Sequence, residues 1–186
     1  MRPVTKPLVR LWESKKHQVY YLGIPKTASS SVRAMLEIDT ENDWLYDDAQ
    51  YVPNWPVFTT MRDPLKRFLS GYLEAKRRGT AAENILQELK RIENGHWSDE
   101  HLYPQTYYIN KFLETGRKIN NTLFVDIGTR RLVYQLRDLV GSALVEEYKN
   151  VSGNGNELES YGVEVKIRHI FKDDYRYLLD EFQIEL

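Results

Sequence analysis

The stretch Tyr20–Leu36, YYLGIPKTASSSVRAML, constrains this chain more than any other. Val19, Tyr20, Tyr21 and Leu22 favour a strand. Gly23 and Pro25 break it, and Val32, Met35 and Leu36 then recur at helical spacing. The join is a lysine followed by small residues: Lys26, Thr27, Ala28, Ser29, Ser30 and Ser31. A helix start presents unpaired amides and the positive end of its dipole, and short side chains let an oxyanion approach them. Hydroxyls add donors, and Lys26 adds a full positive charge. The stretch reads either as an anion-binding loop or as a capped helix behind a solvated lysine. It is not a Walker loop, whose lysine follows a second glycine instead of preceding the turn.

A second strand–turn–helix follows. Val57–Met61, VFTTM, is β-rich, and Arg62-Asp63-Pro64 comes directly after it. Asp63 suits an N-cap and Pro64 the first helical position. Leu65, Phe68, Leu69 and Tyr72 mark one apolar helix face. Arg62 thus stands at the mouth of this turn. Ser70 lies about 12 Å further along the helix at the usual rise per residue. Arg62, Lys66 and Arg67 are expected near enough to the first loop to act on an anion.

Taken together, IPKTASSS and RDPLKRFLSGY resemble the two nucleotide-binding motifs of sulfotransferases, most closely the carbohydrate sulfotransferase branch. The resemblance implies a P-loop-like sulfotransferase fold and 3′-phosphoadenosine 5′-phosphosulfate as sulfuryl donor. It implies that Lys26, Thr27, Ala28, Ser29, Ser30 and Ser31 hold the 5′-phosphosulfate. Arg62 and Ser70 would hold the 3′-phosphate. Ala28 stands where the family usually has glycine, and an alanine there implies a negative φ. DEHLYPQTYYI, FVDIGTRRL, NVS and YRYLLDEF extend the likeness over nearly the whole chain, but only the first two motifs are specific. The chain departs from the branch in its small size and its lack of cysteine.

At 186 residues and 41% hydrophobic composition, one domain with a real core is expected, spanning 1–186. A net charge of −1 carries no global basic signature for nucleic acid. Without cysteine there is no disulfide and no thiolate chemistry. The first residues lack the apolar core of a signal peptide, and no run approaches the roughly 20 apolar residues of a membrane span. A cytoplasmic protein without membrane contact is expected. The histidines are scattered, so no metal site is expected. The acidic run Glu37–Asp48 reads as a solvated face.

Along the chain, Met1–Lys16 reads as a polar lead-in whose Leu8, Val9, Leu11 and Trp12 dock onto the body. Ile38–Pro56 is an acidic, aromatic connection. Ala81–Ile92 reads as a surface helix ended by Asn94-Gly95. His96–Leu113 opens with Ser98 and Asp99 as cap candidates. Thr122–Gly128 reads as a buried parallel strand, followed by a helix capped by Thr129 and ended by Gly141. Asn150–Tyr161 reads as a loop and Val163–Ile167 as a short strand. Asp173–Phe182 reads as a helix with Tyr175, Leu178, Leu179 and Phe182 inward. Alternating strands and helices imply an α/β fold, a three-layer α/β/α arrangement about a mostly parallel sheet. Ligands in such sheets bind beyond the carboxyl ends of the strands.

Sulfuryl transfer, like phosphoryl transfer, rests on positioning, charge stabilisation and one base. Lys26 is the natural electrophilic clamp. Histidine is the first suspect for the base. His17, His96 and His169 read as surface or capping residues. His101 lies in the segment that resembles the family's His-x-x-Pro-Gln and is preferred, with Glu100 the runner-up. The resemblance makes a carbohydrate hydroxyl the acceptor. Trp97, Tyr103, Tyr107 and Tyr108 suit stacking on a sugar ring or plain core packing. Two other readings compete: a P-loop-like nucleotide kinase, and a nucleotide-binding or interaction module without turnover.

Overall fold

The computed structural model describes residues 7–39, 54–126, 131–141, 144 and 161–184. Its first element is one the sequence does not announce. Arg10–Ser14 forms strand β1, paired antiparallel with β2 (Val19–Gly23) from Arg10↔Gly23 to Ser14↔Val19. The lead-in is therefore part of the sheet. Trp12 stacks on Tyr21 with ring centroids 6.0 Å apart, and the Arg33 guanidinium lies 4.5 Å from the Trp12 ring centre. Gly23 is the last residue of β2 and not its breaker. A Cβ built there would lie 1.9 Å from the Trp12 ring, so only glycine admits the indole.

Strand β3 (Val57–Arg62) pairs parallel with β2, and β4 (Asn121–Val125) pairs parallel with β3. The sheet order is β1-β2-β3-β4, mostly parallel, and the fold is α/β. β2 is buried at every position and β3 at all but its last, as expected of parallel strands covered on both faces. On one face Trp12, Tyr21, Phe58, Leu123 and Val125 pack with Val32, Met35 and Leu36 of helix α1 (Ser29–Met35) and its end. Leu132, Val133 and Leu136 join them from α5 (Arg131–Val140), which ends at left-handed Gly141 as expected. On the other face Leu11, Tyr20, Leu22 and Val57 pack with Phe112.

The described residues fall into two compact units. The sheet unit runs from Val9 to Arg62 and from Asn110 to Val151. The helical unit takes in Asp63–Ile109 and the C-terminal segment. It holds α2 (Pro64–Arg77), α3 (Ile85–Glu93), the opening of α4 (Gln105–Leu113), α6 (Tyr161–Ile170) and α7 (Lys172–Phe182). Asp63 caps α2 by accepting the Lys66 amide at 2.9 Å, with Pro64 in the first position. Asn84, and not Ala81, opens α3, because its side chain accepts the Leu86 amide at 2.8 Å. Asn94 and left-handed Gly95 end it.

Two expectations fail here. Val163–Ile167 is helical, inside α6. Val163, Ile167 and Phe171 repeat at the helical interval and are buried, whereas Val165, the middle of the apparent alternation, is 48% exposed. In α7, Leu178 is buried but Leu179 faces solvent, and the side chain that goes in is Asp174. The connection over 40–53, the turn over 127–130 with Gly128 and Thr129, and the loop over 150–160 lie outside the described residues. No helix among the described residues is long and apolar enough to cross a membrane.

Candidate active site

The first loop leaves β2 at the carboxyl end of the parallel sheet. Leu22 is beside Thr59, so β2 and β3 end at the same edge, where Arg62 closes β3 opposite Val125. The loop and Arg62 thus share one edge of the sheet unit. Within the loop Lys26 has φ 67° and Ala28 has φ 62°, whereas Thr27 between them keeps an ordinary negative φ. The negative φ expected at Ala28 is wrong. Each left-handed non-glycine residue carries roughly 1–2 kcal/mol of steric strain. Right- and left-handed residues in succession turn backbone N–H groups inward to make an anion-binding nest, and left-handed Lys26 and Ala28 supply half of that pattern. Ala28 is also the N-cap of α1 and offers no side-chain cap, so the first-turn amides at Ser29 and Ser30 have no partner within the helix.

A buried chain of hydroxyls holds this strained turn. Thr27 Oγ1 donates to the Ile24 carbonyl at 2.8 Å and lies 2.8 Å from Thr60 Oγ1, which lies 2.8 Å from Tyr21 Oη. Each hydroxyl has one proton. Thr27 has given its proton to Ile24, so Thr60 must donate to Thr27 and Tyr21 to Thr60. The order of all three protons follows. Tyr21, Thr27 and Thr60 are fully buried, and burial pushes the Tyr21 phenol up to about 12 against the pull of its hydroxyl partners, so it remains a donor. Thr27 therefore offers an incoming anion its backbone and not its hydroxyl. Ser31 is buried, while Lys26, Ser29, Ser30 and Arg62 are half-buried.

The remaining site residues lie in the helical unit. Ser70 is half-buried in α2, next to Gly71. A Cβ on Gly71 would lie 2.4 Å from the His101 carbonyl oxygen, so glycine lets the Glu100–Leu102 turn press against α2. Asp99 caps that turn by accepting the His101 amide at 2.9 Å, and the same oxygen lies 2.5 Å from His101 Nδ1. Thr80 Oγ1 reaches the other carboxylate oxygen at 3.0 Å. Burial pushes the Asp99 carboxyl up, but the His101 ring and amide and the Thr80 hydroxyl outweigh it and hold it down at about 2. Glu100 faces Arg78 at 3.9 Å, and its carbonyl accepts the Tyr108 hydroxyl at 2.6 Å.

Sequence reasoning misplaced Arg67. It is 1% exposed, and its Nη1 donates to the Tyr103 carbonyl at 2.7 Å. Burial lowers its pKa, opposed by Tyr108 and Asp174. It serves the interior of the helical unit. Thr60, Asp174 and the ring contact of Asp99 were also missed. Two threonines in an otherwise apolar strand, and an Asp two residues before a histidine, are the signals that could have pointed to the first and last. Trp97 stacks on Tyr103 at 4.9 Å and Tyr107 lies tilted against Tyr103 at 5.0 Å, which is core packing as much as a sugar platform. Comparison with protein-family models, with curated proteins and with solved structures gave no match.

Proposed function

We propose that the chain is a sulfotransferase that moves a sulfuryl group from 3′-phosphoadenosine 5′-phosphosulfate to an acceptor hydroxyl, on a carbohydrate by the resemblance. The observation that carries this reading is the strained turn Lys26–Ala28, at the carboxyl edge of a parallel sheet that Arg62 shares. Strain of this kind persists where the surroundings over-determine it, and it clusters at ligand clamps. The P-loop-like sulfotransferase fold is part of the same reading, supported by the mostly parallel sheet.

In the proposed reaction the acceptor oxygen forms a bond to sulfur while the bond from sulfur to the bridging phosphate oxygen breaks. His101, or Glu100, takes the acceptor's proton, and 3′-phosphoadenosine 5′-phosphate departs. Lys26 and the amides of Ala28–Ser31 offset the charge that grows on the departing phosphate. The resemblance assigns the 3′-phosphate to Arg62 and Ser70. The test is thermal shift with 3′-phosphoadenosine 5′-phosphate against ATP plus magnesium, followed by sulfate transfer over a panel of glycans and small alcohols. A ligand at a hundredfold excess over Kd adds about 2.7 kcal/mol to native stability. A shift with the first nucleotide and turnover on the panel are expected. A shift with ATP–magnesium alone points to a kinase, and binding without turnover to a non-catalytic module.

A further inference from the structure

The helical unit carries a feature that the proposed reaction leaves unused. Asp99 Oδ1 is the meeting point of the His101 backbone N–H and the His101 ring, at 2.9 and 2.5 Å. The Asp99 and His101 side chains are 6% and 12% exposed. The second carboxylate oxygen accepts from Thr80, with Arg78 Nη1 4.0 Å away. The His101 amide and Arg78 can only donate to this carboxyl, and its surroundings keep it ionised at neutral pH, so it can only accept. The ring nitrogen facing it must then be the donor, and the partner of one ring nitrogen decides which tautomer a histidine adopts.

We propose that Asp99 is the positioning residue for His101: it holds the neutral ring as the Nδ1–H tautomer and so leaves Nε2 as the proton acceptor. This rests on the reading of His101 as the base, and it favours His101 over Glu100. Two neighbours make the arrangement rigid. The absence of a Cβ at Gly71 lets the His101 backbone sit against α2. Thr80, whose hydroxyl also reaches the Ala75 carbonyl at 3.0 Å, ties Asp99 to the end of the same helix. An imidazole so held gains a stabilising charge as Nε2 takes a proton, because the carboxylate then faces an imidazolium.

The pair also predicts how an asparagine would sit. Its carbonyl would keep the His101 amide and ring N–H, and its NH2 would donate to Thr80 Oγ1, which still has Ala75 as acceptor. Asp99→Asn should therefore keep the cap and the tautomer and lose only the charge. Alanine loses all three.

The experiment is nitrogen-detected NMR of the histidine rings in the full chain, with His101 assigned by its absence in His101→Gln, at a pH where the ring is neutral. The Nδ1–H tautomer is expected in the wild type and in Asp99→Asn. The Nε2–H tautomer in the wild type would overturn the proposal, whether or not any variant folds. In sulfate transfer Asp99→Ala, which loses cap, tautomer and charge together, should lower kcat by about 10²–10⁴-fold, the usual worth of a positioned base, and Asp99→Asn, which keeps the tautomer, should lose less. Binding of 3′-phosphoadenosine 5′-phosphate should stay within about twofold, a smaller change than the loss of one hydrogen bond produces. An Asp99→Ala enzyme as fast as the wild type would overturn the positioning role. A chain with the Nδ1–H tautomer and no sulfate transfer at all would sink the sulfotransferase reading and leave the hold of Asp99 on the ring standing.

Discussion

The two units bury polarity in opposite ways. Among the described residues, the buried polar side chains of the sheet unit are neutral hydroxyls: Ser14, Thr27, Ser31, Thr59 and Thr60. Those of the helical unit include four ionisable groups, Arg67, Glu88, Asp99 and Asp174, with Gln105 and Thr106 as partners of the last. Asp174 accepts the Gln105 and Thr106 amides at 2.8 Å each and the Thr106 hydroxyl at 2.7 Å, so α7 caps the N-terminus of α4. Glu88 likewise accepts the Ala82 amide at 2.7 Å and the Ser98 hydroxyl at 2.5 Å. Hydroxyls hold backbone in place without placing a fixed charge beside an anion. A carboxylate under the first loop would repel the phosphate that the loop is proposed to bind. Carboxylates in the helical unit hold helix starts together and, at Asp99, the ring of His101.

The largest break should come from Asp174→Ala. It leaves the Gln105 and Thr106 amides at the start of α4 without their acceptor and removes the carboxyl that favours the buried Arg67 guanidinium. Urea denaturation should show a loss of about 3–5 kcal/mol, since three buried donors lose their acceptor at once and each such loss costs about 1–3 kcal/mol. A loss below 1 kcal/mol would mean that solvent takes over the capping. In the sheet unit the comparable change is Thr60→Val, which strands the Tyr21 hydroxyl in a dry interior. It should remove about 2–3 kcal/mol, and Thr60→Ser should restore most of it. Full stability in the valine variant would rule out the hydroxyl chain.

Acid should separate the units next. Asp99 has a depressed pKa, about 2 against an ordinary 3.8. Its contribution is complete above the ordinary value and disappears as pH falls through about 2. The gap in stability between the wild type and Asp99→Asn should be about 1–2 kcal/mol at neutral pH and close in that window. The gap between the wild type and Thr60→Val should not move over the same range, since no hydroxyl there titrates. The smallest effect is expected at Ala28. Glycine relieves the left-handed strain but gains freedom in the unfolded chain, so Ala28→Gly should stabilise by up to about 1 kcal/mol. A destabilised glycine variant would mean that the Ala28 methyl packs against the core more than its backbone is strained.

The contrast also explains what the sequence made legible. Strands β2, β3 and β4 were readable because buried parallel strands are continuous apolar runs, and α2 because Asp63-Pro64 is a local cap signal. β1 was not, since RLWES has charged ends and gains its place only by pairing with β2. Val163–Val165–Ile167 looked like alternation, and only the packing of α6 decides which valine is buried. The residues of the first loop were recognisable as a set, but their strain was not, because an alanine gives no local sign of positive φ. Arg67 looked like its neighbours Arg62 and Lys66 until the Tyr103 carbonyl and Asp174 claimed it. Local signals carry the elements, and long-range polar partners settle the rest.

The central claim is that the strained loop and Arg62 form a phosphate-binding edge. Calorimetric titration of 3′-phosphoadenosine 5′-phosphate and of adenosine 5′-phosphosulfate into the wild type and Arg62→Ala tests it most directly. The wild type should bind both, and Arg62→Ala should lose about 2–4 kcal/mol toward the first nucleotide, the worth of a charge-assisted contact to a partly desolvated phosphate. Affinity for the second, which lacks the 3′-phosphate, should be nearly unchanged. Equal losses for the two nucleotides, or no binding of either by the wild type, would contradict the account.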